Sequence, residues 1–424
     1  MLDISVKLDD GEVQANIQQP HQRFLLVETR PGVAAGSGGG EVHLNLALIL
    51  DKSGSMMGSP IEQVKQAAQN IVQLLSREDR LTLVVFNHEA DMVIKSEPLS
   101  KKNDIIKKIG QITSDGGTAI DKGMDMALGQ MEKVNLKEYV NRAIVLTDGV
   151  NEHGNDSRCI ELARDAADKG IPFSAFGFGV NWSPDLLEQV GDAGKGRMVH
   201  IGNSNDVVSL FEEEVRSASA TAAKNVRFCL DCVDATIPGL RLAEINAAYV
   251  IKPQIAPVTP IKKGGGIWEF PVGDVSFDLP KSLLIQLFFP PVNEGYCNCG
   301  ELYGLYDLPA KRSSNLKSGS CGIGIKGVAH HRPSVDSEVR DCIARLQIYV
   351  QQHLAEQLEG QGKTGEAVTI LQDAARTALQ TGQKELATIL QNNATTLQSG
   401  KEITKEERIK TILQSKTTLQ KGGK

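Results

Sequence analysis

The chain contains 424 residues, of which 41% are hydrophobic and 23% are charged, as in folded globular proteins. Its 46 lysine and arginine residues face 52 aspartate and glutamate residues, and the formal charge of -6 argues against a surface for DNA or RNA. The sequence has no run of about 18 apolar residues, so we expect no membrane span. It also lacks the patterns of a signal peptide and of a secreted disulfide framework, which predicts a cytoplasmic protein.

Residues 1–40 contain two short strand-like runs and then a glycine-rich linker. The runs lie at residues 4–8 and 23–29, and the linker covers residues 32–40. Two or three strands are not stable alone in water, so we expect these to pair with strands further along the chain.

Residues 41–221 alternate between short apolar runs and longer amphipathic segments. Residues 46–50 and 143–147 are largely apolar, as in strands that are buried on both faces of a sheet. Residues 60–75 have apolar side chains at helical spacing. This alternation predicts an α/β domain with a doubly wound, mostly parallel sheet of the Rossmann-like type.

Residues 222–333 contain short β-like runs that are separated by proline and glycine, a pattern typical of an antiparallel β-sandwich. We expect the N-terminal strands to join this sandwich, so that the α/β domain is inserted between its strands. Residues 334–424 have the pattern of a helical region with four helices, of which the middle two could form an αα-hairpin.

One polar segment, Asp51-Lys52-Ser53-Gly54-Ser55, directly follows the first buried strand of the α/β region. Ligands of open α/β sheets bind at the carboxyl ends of the strands. Asp51, Ser53 and Ser55 would present one carboxylate and two hydroxyls there, and such hard oxygen donors suit Mg²⁺. The same pattern also fits a serine that caps the N-terminus of a helix, so this segment alone leaves both readings open.

Two later segments would bring further oxygen donors to the same edge of the sheet. Thr118 ends the loop at residues 114–118, which precedes a predicted helix. Asp148 follows a buried strand and is itself followed by Gly149. The three segments together, in this order, resemble the metal-ion-dependent adhesion site of von Willebrand factor A (VWA) domains, and no position departs from the family's pattern.

The resemblance implies a set of metal ligands. Ser53, Ser55 and Thr118 would bind the cation through their hydroxyls, and Asp51 and Asp148 would bind it directly or through water. Mg²⁺ is the expected ion, with Mn²⁺ and Ca²⁺ as alternatives. In the family, one coordination position is left for an acidic side chain of a protein partner.

The resemblance also implies a function. The order of strands and sandwich is loosely similar to inter-α-trypsin-inhibitor heavy-chain-like proteins and to bacterial intracellular VWA proteins. It implies a protein-binding module rather than an enzyme, whose partner exposes an aspartate or glutamate. Assembly or regulation of a complex, such as an ATPase complex, is the expected role, and the chain has no P-loop of its own.

Two alternatives remain open at this point. The first is a Mg²⁺-dependent, phosphatase-like hydrolase with Asp51 as its nucleophile, although such chemistry favours a second carboxylate at the position of Ser53. The second concerns an additional zinc site, for which the sequence offers four thiols: Cys229, Cys232, Cys297 and Cys299. Residues three apart on a strand face opposite sides, so buried or solvated free thiols are the competing interpretation.

Overall fold

The computed structural model describes residues 2–32, 42–232 and 244–417. Most of the predicted linker, at residues 33–40, and the chain ends at residue 1 and residues 418–424 lie outside the described residues. The chain begins with three strands, which are β1 (Leu2–Leu8), β2 (Glu12–Gln14) and β3 (His21–Pro31).

The α/β domain follows these strands and has alternating strands and helices, as predicted. In chain order its elements are β4 (Leu44–Asp51), α1 (Ser59–Leu74), β5 (Arg80–Phe86), β6 (Ala90–Pro98), α2 (Lys102–Gly110), α3 (Ile120–Met131), β7 (Val140–Thr147), α4 (Asp156–Asp168), β8 (Phe173–Phe178), α5 (Pro184–Ala193), β9 (Lys195–Ile201) and α6 (Val207–Ser219).

These strands form one six-stranded sheet in the order β6-β5-β4-β7-β8-β9. All neighbouring pairs are parallel except β5 and β6, which form an antiparallel hairpin at one edge. Every residue of β4 and of β7 is buried, because α1, α2 and α6 cover one face of the sheet and α3, α4 and α5 cover the other. The doubly wound, mostly parallel sheet predicted from the sequence is therefore confirmed.

The next part of the chain is the β-sandwich. Its strands are β10 (Thr221–Asp231), β11 (Glu244–Lys252), β12 (Ala256–Pro257), β13 (Ile261–Lys262), β14 (Ile267–Ser276), β15 (Ser282–Phe289), β16 (Gly295–Leu308), β17 (Ser313–Lys317) and β18 (Cys321–Val328). One sheet has the order β1-β3-β15-β11-β12, and the other has the order β13-β14-β10-β16-β18-β2, with β17 paired to β16.

The N-terminal strands are part of this sandwich. β3 lies between β1 and β15, and it pairs with β15 from His21 opposite Phe289 to Glu28 opposite Ser282. β2 adds to the other sheet as a parallel neighbour of β18. The α/β domain is thus inserted between β3 and β10, as the sequence predicts.

The C-terminal region is helical, with α7 (Ser337–Gly360), α8 (Thr364–Gln380), α9 (Lys384–Gln398) and α10 (Lys405–Lys416). α8 packs against both α7 and α9. α10 reaches the α/β domain, where Ile409 and Ile412 join the core beneath α3, α4 and α5. None of the helices in the described ranges is long and apolar enough to cross a membrane.

Candidate metal centre

Asp51 is the last residue of β4, at the carboxyl edge of the sheet, and its side chain is fully buried. Its Oδ1 accepts a hydrogen bond from the backbone N–H of Ser53 at 2.7 Å. Its Oδ2 accepts one from the hydroxyl of Thr147, at the end of the neighbouring strand β7, at 2.6 Å. These two bonds fix the orientation of the carboxylate and of the turn that follows it.

The two serines of this turn form a short chain of oxygen atoms that leads to the next loop. Ser53 Oγ lies 3.0 Å from Ser55 Oγ, and the Ser55 hydroxyl donates a hydrogen bond to Asp148 Oδ1 at 2.6 Å. Ser53 and Ser55 come from the turn after β4, and Asp148 directly follows β7. The parallel pairing of β4 and β7 therefore brings these predicted residues together, although Asp148 is 93 positions from Ser55.

The loop that carries Thr118 is tied to the other two loops by backbone hydrogen bonds. The N–H of Gly54 donates to the carbonyl of Gly116 at 2.9 Å, and the N–H of His153 donates to the carbonyl of Thr118 at 2.9 Å. Thr118 is buried, and a Cβ atom at Gly149 would lie 3.4 Å from its Oγ1. The hydroxyl of Thr118 therefore lies beside the loop that carries Asp148.

Gly117 allows a close approach of two loops at this edge. A Cβ atom at this position would lie only 2.3 Å from Cδ2 of His153, whose side chain is exposed. The exposed ring of His153 therefore packs over the backbone of the Thr118 loop.

The two carboxylates of this edge have no cationic partner among the residues that the structure describes. In the described parts of the chain, no lysine, arginine or histidine forms an ion pair with Asp51 or Asp148. The nearby Lys52 is directed away, towards Asp91 at 3.2 Å and Asp115 at 3.3 Å. Burial raises the pKa of Asp51 to about 6 and also raises the pKa of Asp148. A cation between them would relieve this cost of burying negative charge.

The chemistry of the donor set fits a hard divalent cation. The converging side chains offer carboxylate and hydroxyl oxygens and neither nitrogen nor sulfur. Asp51, Ser53, Ser55, Thr118 and Asp148 are the residues that would hold such an ion. Mg²⁺ commonly keeps several waters, so a site with two carboxylates does not need further protein carboxylates.

The zinc alternative is not supported by the structure. Across residues 2–32, 42–232 and 244–417, no group of three or more His, Cys, Asp or Glu side chains is placed to hold a metal ion. Three of the four cysteines are buried in the sandwich, and burial raises the pKa of Cys229 to about 11 and the pKa values of Cys232 and Cys299 to about 12. Burial thus disfavours the thiolate form of these three cysteines, which is the form that binds zinc.

Two residues that position the site were not singled out by sequence reasoning. Thr147 donates to Asp51, and its place just before the Asp148-Gly149 pair was the signal that could have indicated this role. Asn151 Oδ1 accepts a hydrogen bond from the backbone N–H of Ile120 at 2.7 Å. It thereby links the loop that carries Asp148 to the first turn of α3, next to Thr118.

Comparisons with known proteins agree with this geometry. The profile of the von Willebrand factor type A domain matches residues 45–213, and that of the Sll0103-like C-terminal alpha-helical domain matches residues 337–421. The uncharacterized protein sll0103 of Synechocystis sp. is 34% identical over 421 residues, which are 99% of this chain and 98% of that protein. The chain therefore belongs to the family of Sll0103-like VWA proteins.

More distant proteins share parts of the chain or only its fold. The human inter-alpha-trypsin inhibitor heavy chain H4 is 31% identical over 195 residues, which cover 42% of this chain but only 20% of that protein. The structure of a von Willebrand factor type A protein from Catenulispora acidiphila aligns with a TM-score of 0.80 at 16% identity, over 99% of this chain and 97% of that one. The ArnB paralog VWA2 from Sulfolobus acidocaldarius aligns over 98% of both chains with a TM-score of 0.57 at 18% identity. These two structures share the whole architecture of the chain.

Proposed function

We propose that this protein is a metal-dependent protein-binding module. A divalent cation, Mg²⁺ in the first place, is bound by Asp51, Ser53, Ser55, Thr118 and Asp148 and attracts an acidic side chain of a partner protein. The observation that carries this proposal is the convergence of oxygen donors around two carboxylates that no cation of the described chain neutralises.

Charge explains why a third carboxylate would bind. The cation supplies Lewis acidity, and two carboxylates balance its charge without exceeding it, so that an incoming aspartate or glutamate is still attracted. The chain's own residues orient the site: Thr147 holds Asp51, and the Ser55 hydroxyl holds Asp148. The three loops are linked by backbone hydrogen bonds, so the donor set is preorganised for binding.

The hydrolase alternative is less compatible with the position of Asp51. A carboxylate nucleophile must approach its substrate, whereas the Asp51 side chain is fully buried and both of its oxygens accept short hydrogen bonds. Its adjacent Lys52, which could assist such chemistry, pairs with Asp91 and Asp115 instead. These observations favour a role in binding.

The partner is defined by its chemistry, as a protein with an exposed aspartate or glutamate. The proposed role is assembly or regulation of a complex, and an ATPase complex is one such partner. The ATPase would then have to hydrolyse ATP itself, since this sequence shows no P-loop. The partner's acidic side chain would reach the carboxyl edge of the sheet, next to the loops that carry Ser55 and Thr118.

The test is a capture of partners from native lysate by the full chain. Capture should require Mg²⁺, should be reversed by EDTA, and should be lost in Asp148→Asn. Asp125→Asn is the matched control, because Asp125 is an exposed carboxylate on α3 that pairs with Arg158 and not with the site. The proposal would be contradicted by a partner that stays bound in the presence of EDTA and that Asp148→Asn captures as well as the wild-type chain does.

A further inference from the structure

A second candidate binding site lies between the α/β domain and the sandwich, away from the three metal-site loops. The cavity has a volume of about 640 Å³ and is lined from one side by β7, β9 and α6 and from the other by β10, β11 and β14. This volume is within the range of small-molecule sites in proteins. Neither the sequence patterns nor the proposed function uses it.

The charged wall of this cavity contains Arg142 and Lys281, neither of which is within hydrogen-bond distance of a carboxylate in the described residues. Arg142 is 8% exposed, and within the described residues its guanidinium makes no hydrogen bond. Its nearest carboxylate oxygens belong to Glu214 at 3.7 Å and to Asp274 at 3.8 Å. Lys281 donates to the backbone carbonyl of Val272 at 2.6 Å, and it forms no ion pair with any described carboxylate.

The carboxylates beside these cations have other partners as well. Glu214 is engaged by Arg197, whose Nη2 lies 2.6 Å from Glu214 Oε2. Asp274 Oδ2 lies 3.8 Å from Arg142 Nη2, beyond hydrogen-bond distance. Burial lowers the pKa of Lys281 to about 8, although the charge of Asp274 opposes this shift.

Unpartnered polar atoms mark the same wall. Arg142 Nε, Thr221 Oγ1 and Asp274 Oδ2 are buried, and none of them has a hydrogen-bond partner among the described residues. The three residues are 8%, 5% and 8% exposed, respectively. Buried polar groups are nearly always hydrogen-bonded, so three such atoms at one cavity indicate that something else binds there.

The apolar wall of the cavity belongs to the sandwich and adjoins Lys281, whose Nζ donates to the carbonyl of Val272. Val250, Val258 and Val272 are buried, and prolines at positions 257 and 271 extend this surface. A ligand that satisfies both walls carries a negative charge at one end and an apolar body at the other.

We propose that this cavity binds an organic carboxylate, whose acid group lies against Arg142 and Lys281 and whose apolar body lies against Val250, Val258 and Val272. The acid group accepts charge-assisted hydrogen bonds from both cations. The apolar body replaces water along the sandwich wall. The ligand contacts both domains, so its binding stabilises their junction.

The test compares probes of equal length and opposite charge on the full chain. Octanoate should raise the melting temperature and bind in calorimetry, whereas octylamine and inorganic phosphate should have no comparable effect. Lys281→Met should weaken octanoate binding about tenfold or more, because it removes a charge-assisted hydrogen bond. Lys326→Met is the control, since Lys326 is an exposed lysine that pairs with Glu12 on the far side of the sandwich.

Other outcomes would overturn the proposal. Equal stabilisation by octylamine would remove the role of the charged wall, and equal binding of inorganic phosphate would remove the role of the apolar wall. If Lys281→Met does not fold, Arg142→Gln and the comparison of probes on the wild-type chain decide the question. Unchanged octanoate affinity in the folded variants would place the ligand elsewhere.

Discussion

Two pairs of carboxylates in this protein differ in whether a cationic side chain lies beside them. At the edge of the sheet, Asp51 and Asp148 have no cationic side chain beside them in the described structure. At the junction with the helical region, Glu188 and Asp192 of α5 share Lys416, whose Nζ lies 2.8 Å from Glu188 Oε1 and 2.7 Å from Asp192 Oδ1. Lys416 supplies a countercharge for the second pair, whereas the described residues supply none for the first pair.

The pKa shifts follow this difference at Glu188 but not at Asp192, whose pKa burial raises to about 6 although the charge of Lys416 opposes it. Burial would raise the pKa of Glu188, but His353, at 3.4 Å, and the charge of Lys416 hold it at about 2. Burial raises the pKa of Asp51 to about 6, because no cation opposes it. Lys416 is 1% exposed and ends α10, so its ion pairs fasten the helical region to the α/β domain. The carboxylates that pair with Lys416 thus hold the helical region on the α/β domain, whereas the two carboxylates without a cationic side chain beside them are available to bind an ion.

The largest expected effect comes from removing the buried cation. Lys416→Met should lower the free energy of unfolding by about 3–5 kcal/mol, because it removes the lysine charge that Glu188 and Asp192 share and leaves Glu188 with only Tyr349 and His353 beside it. Lys410→Met, on the exposed side of the same helix, should change it by less than about 0.5 kcal/mol. Urea denaturation of both variants measures the difference. Equal stability of the two variants would mean that Lys416 does not fasten the junction. Mg²⁺ should not restore the stability of Lys416→Met.

The second expected effect is stabilisation by metal at the other pair. Mg²⁺ at a hundredfold excess over its Kd should raise the free energy of unfolding by about 2.7 kcal/mol, because it binds only the folded chain. Asp51→Asn should lose this gain. Without metal, Asp51→Asn should be far less destabilised than Lys416→Met, since it removes repulsion from Asp148 rather than an ion pair. Thermal unfolding with and without Mg²⁺ is the measurement, and an equal gain in wild type and variant would show that the ion binds elsewhere.

A smaller effect concerns pH at the junction. His353 lies between Glu188, at 3.4 Å, and Glu356, at 3.6 Å. Burial and the charge of Lys416 oppose protonation of His353, but the two carboxylates raise its pKa above 6.5. A raised histidine pKa stabilises the fold below the unfolded value, and this contribution is lost as the pH rises through the folded value.

Burial also raises the pKa of Glu356 to about 7, which likewise makes stability fall as the pH rises towards 7. The wild-type chain should therefore lose stability between about pH 6 and about pH 8. In His353→Gln this loss should be smaller, as measured by denaturation at each pH. Parallel curves for the two chains would mean that His353 does not titrate in this range.

The smallest expected effect lies in the loop that carries Thr118. Gly117→Ala should displace the exposed ring of His153, because the new Cβ atom would lie 2.3 Å from it. We expect Mg²⁺ binding to weaken by less than about 1 kcal/mol, since a surface side chain can move at little cost. His153→Ala in the same chain should restore binding, and calorimetry of the double-mutant cycle measures this coupling. Additive losses would mean that the loop backbone moves instead of the ring.

The proposed metal-site residues could be singled out from the sequence because most of them lie in short segments at the ends of strands, whereas Thr118 lies just before α3. Asp51, Ser53 and Ser55 are within one turn, and Asp148 directly follows a buried apolar run. The fold of the α/β domain was predicted for the same reason, because β4 and β7 each contain an apolar run. The edge strand β6 was missed, since its side chains are largely exposed or half-buried and its pairing with β5 is irregular.

The junctions could not be predicted, because their residues are far apart in sequence. Lys416 and Glu188 are separated by 228 positions, and each resembles an ordinary charged residue on an amphipathic helix. Arg142 lies inside a strand whose neighbours are apolar, and its relation to Lys281 depends on how two domains pack. Short motifs indicate local chemistry, whereas the packing of domains decides which distant charges meet.

A calorimetric titration of the full chain with Mg²⁺ measures whether Asp51 and Asp148 bind the ion. We expect one bound ion per wild-type chain, with binding lost in Asp51→Asn and in Asp148→Asn and unchanged in the Asp125→Asn control. Equal Mg²⁺ affinity in all four chains would contradict it, because the two carboxylates that lack a countercharge would then not be the ligands of the cation.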